Sequence, residues 1–143
     1  MKPWYSIIAG GLAGTMVMTV FLLLPRWAGL AKVDVIRAGG ALVVGMNKHA
    51  YPVGLGIHLA LGLVFAFVYA LFLALSNLPF NAWSGLWLGA LHGVLAMLVV
   101  SILIMEHHPE ARYHDRGPAT GLAQLIGHML YGITLGAVVT LMG

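Results

Sequence analysis

The sequence predicts an all-α polytopic membrane protein, a bundle of four transmembrane helices. Three observations carry this reading. Of 143 residues, 61% are apolar and 8% charged, with a mean hydropathy of +0.96; soluble domains carry roughly 25% charged residues, so this chain lacks the charge to cover a water-facing surface. Charge-free runs recur over residues 3–25, 49–105 and 117–143, and a bilayer core takes about 20 helical residues to cross. The longest run, 57 residues, contains a strong turn signal, Ser76-Asn77-Leu78-Pro79-Phe80-Asn81. The apolar content excludes disorder. Seven Lys and Arg against four Asp and Glu make no nucleic-acid surface, so no nucleic-acid partner is expected. With no cysteine, disulfides, thiolate metal sites and Cys nucleophiles are excluded.

One transmembrane domain, residues 1–143, is expected. The first helix is placed near 4–25. Its apolar run exceeds the 7–15 residues of a typical signal-peptide core, so it reads as a true crossing. The 57-residue run would form a helix of about 85 Å if unbroken, so it folds back at the turn signal into helices near 53–75 and 82–105. Ser84 reads as the N-cap of the latter. The fourth helix is placed near 118–142, with Pro118 in the first turn, where its missing N–H costs nothing. Residues 28–50 hold charges around a short apolar piece, Ala41 to Met46. That piece is too short to span and reads as an interfacial or re-entrant segment.

Lys and Arg set the orientation. Arg26, Lys32, Arg37 and Lys48 lie after the first helix, and Arg112 and Arg116 after the third, whereas the opposite side has only Lys2. Both termini are therefore expected outside and the long connections in the cytoplasm. Trp4, Tyr5, Trp27, Tyr51, Trp83, Trp87 and Tyr113 fall near predicted helix ends, as an aromatic belt does.

The first and third helices share Gly at i and i+4 and Met at i+8 (Gly10, Gly14, Met18; Gly89, Gly93, Met97), and the second and fourth share His-x-x-x-Gly (His58, Gly62; His128, Gly132). This pattern predicts a duplicated helical hairpin with an axis along the membrane normal; the abundance of glycine, 19 residues, offers chance matching as the plain alternative. The Gly-x-x-x-Gly faces allow close helix approach, within the chain, between copies, or against another subunit.

Three of seven histidines, His58, His92 and His128, fall inside predicted crossings. Ionisable groups in a membrane are functional candidates and neutral imidazole is a common metal ligand. Depth counting puts the three within a few residues of one level, so ligation of a transition metal ion or of haem b between helices fits the spacing. The alternative is plain hydrogen bonding to neighbours, with Tyr69, Tyr131, Thr15, Thr19 and Thr134 as partners. The polar stretch from Glu106 to Arg116 offers a second candidate, a metal site of His107, His108, Glu110, His114 and Asp115, since imidazole with carboxylate suits Zn, Fe, Ni or Cu(II). Its alternative is a solvated loop.

Gly10-x-x-Ala13-Gly14-Thr15-x-x-Met18-Thr19, Asp34, His58, and Gly127-His128-Met129-Leu130-Tyr131-Gly132-x-x-Leu135-Gly136 together resemble a family of small four-helix bacterial integral membrane proteins of uncharacterised function. The resemblance implies the topology and a bacterial inner membrane, and little about activity.

Two functions stand side by side. One is a non-enzymatic integral membrane protein whose histidine-lined site binds a transition metal or haem. The other is an accessory or structural subunit, packed against a larger electron-transfer or photosynthetic complex or against a second copy. An enzyme is disfavoured because the crossings hold no acid–base pair, and neither a phosphate loop nor His-Glu-x-x-His occurs.

Overall fold

The computed structural model describes residues 3–28, 34–114 and 118–143. In chain order they form α1 (Trp4–Trp27), α2 (Val35–Val44), α3 (Ala50–Leu75), α4 (Ala82–Val100) and α5 (Pro118–Met142). Between α4 and α5 lie a π-helical turn, Ser101–Glu106, and a 3-10 turn, Ala111–Tyr113. Among the described residues there is no strand, and four helices, α1, α3, α4 and α5, are long and apolar enough to cross a membrane.

Local chemistry fixes the helix ends. α3 stops in a Schellman arrangement: Asn77 adopts φ 55°, the Leu78 N–H donates to Leu73 O at 3.0 Å, and the Asn77 N–H donates to Ala74 O at 3.3 Å. Asn tolerates this left-handed backbone better than most residues. α4 starts with a reciprocal cap. Asn81 Oδ1 accepts from the Trp83 and Ser84 amides at 3.0 Å each, and Ser84 Oγ accepts from the Asn81 amide at 3.0 Å. Asn81 is thus the capping residue and Ser84 its partner in the first turn, correcting the expectation for Ser84. α2 starts at Asp34, whose Oδ1 accepts from the Arg37 amide at 3.0 Å. The expected 82–105 helix is α-helical only to Val100 and continues as the π-helical turn.

Glycine contacts govern how the helices meet. α5 lies against both α4 and α1. On the α4 side, a Cβ at Gly85 would land on Gly132 O, at Gly89 on His128 O, and at Gly136 on Asn81 O. On the α1 side, a Cβ at Gly10 would meet Leu135 and at Gly14 Tyr131 O, each at 2.8 Å. Small residues let these backbones approach. α1 in turn packs on α3, where Gly11 faces Ala66 and Gly62 faces Thr15. α2 packs on α3, with Gly40 and Gly54 each against the other helix's backbone. The core runs through Met18, Tyr69, Leu73, Tyr131, Leu135 and Val139.

The remaining seam, between α3 and α4, is looser than the one between α1 and α5. It closes through side chains: Tyr69 Oη lies 3.2 Å from His92 Nδ1, and the Phe65 and His92 rings lie 3.9 Å apart.

The α2 segment and the α4–α5 connection meet at one end of the molecule. His108 Nε2 lies 3.2 Å from Ala38 O, and the Tyr113 hydroxyl donates to Met46 Sδ at 3.3 Å. Tyr113 is 4% exposed, so it is a core residue of this end and not a member of the aromatic belt. Trp4, Tyr5, Trp83 and Trp87 are exposed near helix ends.

Candidate functional site

A cavity of about 330 Å³ lies behind the α3–α4 seam, walled by residues of all five α-helices. Its polar lining is Thr15, His58, His92, Gln124, His128 and Tyr131, with no Asp, Glu, Lys or Arg among the lining residues. The three histidines singled out from sequence therefore reach one space, from three helices.

Their surroundings differ. His128, 8% exposed, points Nδ1 at Gln124 O, 2.7 Å away on its own helix. A carbonyl only accepts, so in the neutral ring Nδ1 carries the proton and Nε2 is an acceptor. His92 is held among rings. Its Nδ1 meets the Tyr69 hydroxyl, Phe65 lies on one side, and the His128 ring stands edge-on at 4.4 Å. His58 differs from both: its Nε2 is buried and has no hydrogen-bond partner among the described residues. Buried polar atoms are almost always satisfied, and leaving one unpaired costs about 1–3 kcal/mol. Two hydroxyls of the wall are engaged, since Tyr131 donates to Gly62 O at 2.6 Å and Thr15 to Gly11 O at 2.7 Å.

The geometry does not fit haem between His92 and His128. Metal–nitrogen bonds of about 2 Å would set two opposed imidazole centroids roughly 6 Å apart with the macrocycle between them. The two rings instead touch at 4.4 Å, nearly perpendicular at 68°. Nor do the described residues gather three metal-ligating side chains anywhere.

The loop candidate is dispersed among main-chain partners. His108, 2% exposed, accepts from the Glu110 amide at Nδ1 (3.0 Å), which leaves Nε2–H to donate to Ala38 O. Both nitrogens are committed, so the ring is a strut between the connection and α2. His107 Nδ1 meets Ile102 O at 2.8 Å, and His114 Nε2 meets His108 O at 2.8 Å. Glu110 pairs loosely with Arg112 at 3.8 Å. Asp115 lies outside the described residues. Among the described residues, the three histidines make separate bonds to the backbone and do not converge on one point.

Sequence reasoning missed Phe65 and Gln124. Gln124 carried a signal, as the sole side-chain amide of the 117–143 run, one helical turn before His128. Phe65 carried none among so many apolar neighbours.

Fold and cavity define a class: among the described residues, helices without strands, four of them of crossing length, and a histidine-bearing cavity whose lining holds no charged side chain. The chain belongs to a family of unknown function, DUF6789, whose model matches residues 1–143. No curated protein and no solved structure matches it.

Proposed function

We propose that this chain is an integral protein of a bacterial cytoplasmic membrane that holds a small molecule between its helices, against His58, His92 and His128. The observation that carries the reading is that His58, whose buried Nε2 has no partner among the described residues, lines a cavity shared by all three histidines. An imidazole nitrogen buried at membrane depth without a partner is costly, and a bound molecule supplies the partner. The volume is at the lower end of ligand pockets, which run from about 300 to 1,000 Å³.

Four crossings form a bundle, with α2 on the cytoplasmic interface and both termini outward. In support, the α2 segment and the α4–α5 connection, which carry Arg37, Lys48 and Arg112, meet at one end through His108 and Tyr113. The α1–α3 and α4–α5 pairs descend from one duplicated hairpin; on that reading, the closed α1–α5 seam and the looser α3–α4 seam are equivalent positions that diverged. The accessory-subunit reading is weaker because Gly10, Gly14, Gly85, Gly89 and Gly136, which would dock a partner, face other helices of the same chain.

The test is organic extraction of protein purified in mild detergent, with mass spectrometry of the extract. A neutral compound retained near one per chain, and lost from His58→Phe, supports the reading. A protein carrying only bulk lipid, unchanged by the substitution, contradicts it.

A further inference from the structure

We infer that the cavity is reached sideways from the lipid, between α3 and α4, and that its ligand is a neutral, flat, lipid-soluble carbonyl compound of the quinone class. This rests on the reading above and names the ligand that reading leaves open.

The mouth is defined by residues that both line the cavity and face outward. Leu61 of α3 is 49% exposed, and Leu95 and Val99 of α4 are each 53% exposed. They border the seam that lacks a glycine-mediated backbone contact of the α4–α5 kind. On a helix pair of crossing length, an opening rimmed by Leu and Val gives onto acyl chains. A molecule that passes it is already dissolved in the bilayer.

The wall sets the chemistry of that molecule. With no charged side chain among the described residues that line it, the cavity offers nothing to balance a carboxylate, phosphate or ammonium, and desolvating one without a partner is prohibitive. The ligand is therefore neutral. The Phe65 and His92 rings stack on one another, 3.9 Å apart and inclined by 32°, and both residues line the wall; an aromatic wall favours edge-on or offset contact with a flat ring. His58 Nε2 asks for one hydrogen-bond partner. As Nε2–H it donates to a carbonyl oxygen, which an aliphatic chain does not provide. A ring with a carbonyl and the start of an apolar tail fills a space of this size, and the tail leaves by the mouth into lipid.

The experiment measures binding of 2-methyl-3-prenyl-1,4-naphthoquinone to the full chain in lipid nanodiscs by equilibrium dialysis. The controls are 2-methyl-3-prenylnaphthalene, which lacks both oxygens, a prenol of matched size, and oleate. We expect the quinone to bind about tenfold tighter than the naphthalene, the difference one well-placed buried hydrogen bond makes. His58→Phe, which keeps a ring and removes the donor, erases that tenfold gap. Leu95→Trp, which fills the mouth and leaves His58 in place, weakens all cavity binding. Helical content and thermal unfolding of both variants establish that they fold, and Leu95→Trp carries the test if His58→Phe does not. Equal binding of quinone and naphthalene, or a preference for prenol or oleate, overturns the ligand class. If extraction then finds another neutral compound that depends on His58, the site reading stands without this ligand. If nothing binds and nothing is extracted, both fall.

Discussion

The imidazole of His92 on α4 stands edge-on to that of His128 on α5, with ring centroids 4.4 Å apart and planes 68° to one another. Both rings line the cavity, and His58 of α3, which lines it too, has no partner at Nε2 among the described residues. Two rings that touch in this way brace each other.

The bracing extends to Tyr69, whose hydroxyl meets His92 Nδ1 at 3.2 Å. Interhelical hydrogen bonds of this kind in membranes average about 0.6 kcal/mol. Tyr69→Phe is expected to destabilise by about that amount, read as a small drop in unfolding midpoint in lipid, and to shift the ¹⁵N resonance of His92 Nδ1. An unmoved resonance would mean that the bond is not made.

Glycine positions should divide sharply. A Cβ at Gly85 lands on the Gly132 carbonyl, whereas one at Gly56 meets nothing within 4 Å. Gly85→Ala should therefore cost about 1–3 kcal/mol, as overpacking does. Gly56→Ala should be neutral or stabilising by about 0.5–1 kcal/mol, through lower unfolded-state entropy in a helix. Thermal unfolding of the two variants side by side checks this; similar midpoints would mean that α4 and α5 are not packed on those carbonyls.

At the other end, His108 and His107 are neighbours with different work. His108→Ala leaves the Ala38 carbonyl and the Glu110 amide without their partner, a loss of about 1–3 kcal/mol when such groups stay buried. His107 is exposed, and His107→Ala should stay within about 0.5 kcal/mol. Amide hydrogen exchange at Glu110 should accelerate in the first variant only. Equal acceleration in both would remove the strut.

Much of the fold was legible because its signals are local. Charge-free runs and the Ser76–Asn81 breaker mark four helices of crossing length, and Asn77 and Asn81 supply the terminating chemistry inside that breaker. The three histidines were legible as candidates because polar rings are rare in such runs. Their division of roles was not. Which ring meets Tyr69, which meets a carbonyl one turn back and which is left unpaired depends on helix rotation. Rotation is set here by glycine contacts between residues far apart in sequence, such as Gly14 with Tyr131. The same holds for Tyr113 and His108, whose partners Met46 and Ala38 lie about seventy residues away. Seen along the chain, His107, His108 and His114 look like a ligand set; in space each turns to a different carbonyl.

Orientation can be checked without a ligand. The chain has no cysteine, so single cysteines at Gly143 and Ala111 report cleanly. An impermeant thiol reagent added to intact cells should label the Gly143 position and not the Ala111 position. The reverse pattern would place the cation-bearing connections outside.

The central claim is that His58 completes its hydrogen bonding with a bound molecule. Protein with ¹⁵N-labelled imidazoles, held in lipid nanodiscs with its co-purified compound and again after that compound is extracted, tests it most directly. The account predicts that the His58 ring resonances move between the two states while those of His107 and His114 stay. If His58, His92 and His128 are all unmoved, or if the shifts fall on His107 and His114 instead, the cavity is not the binding site.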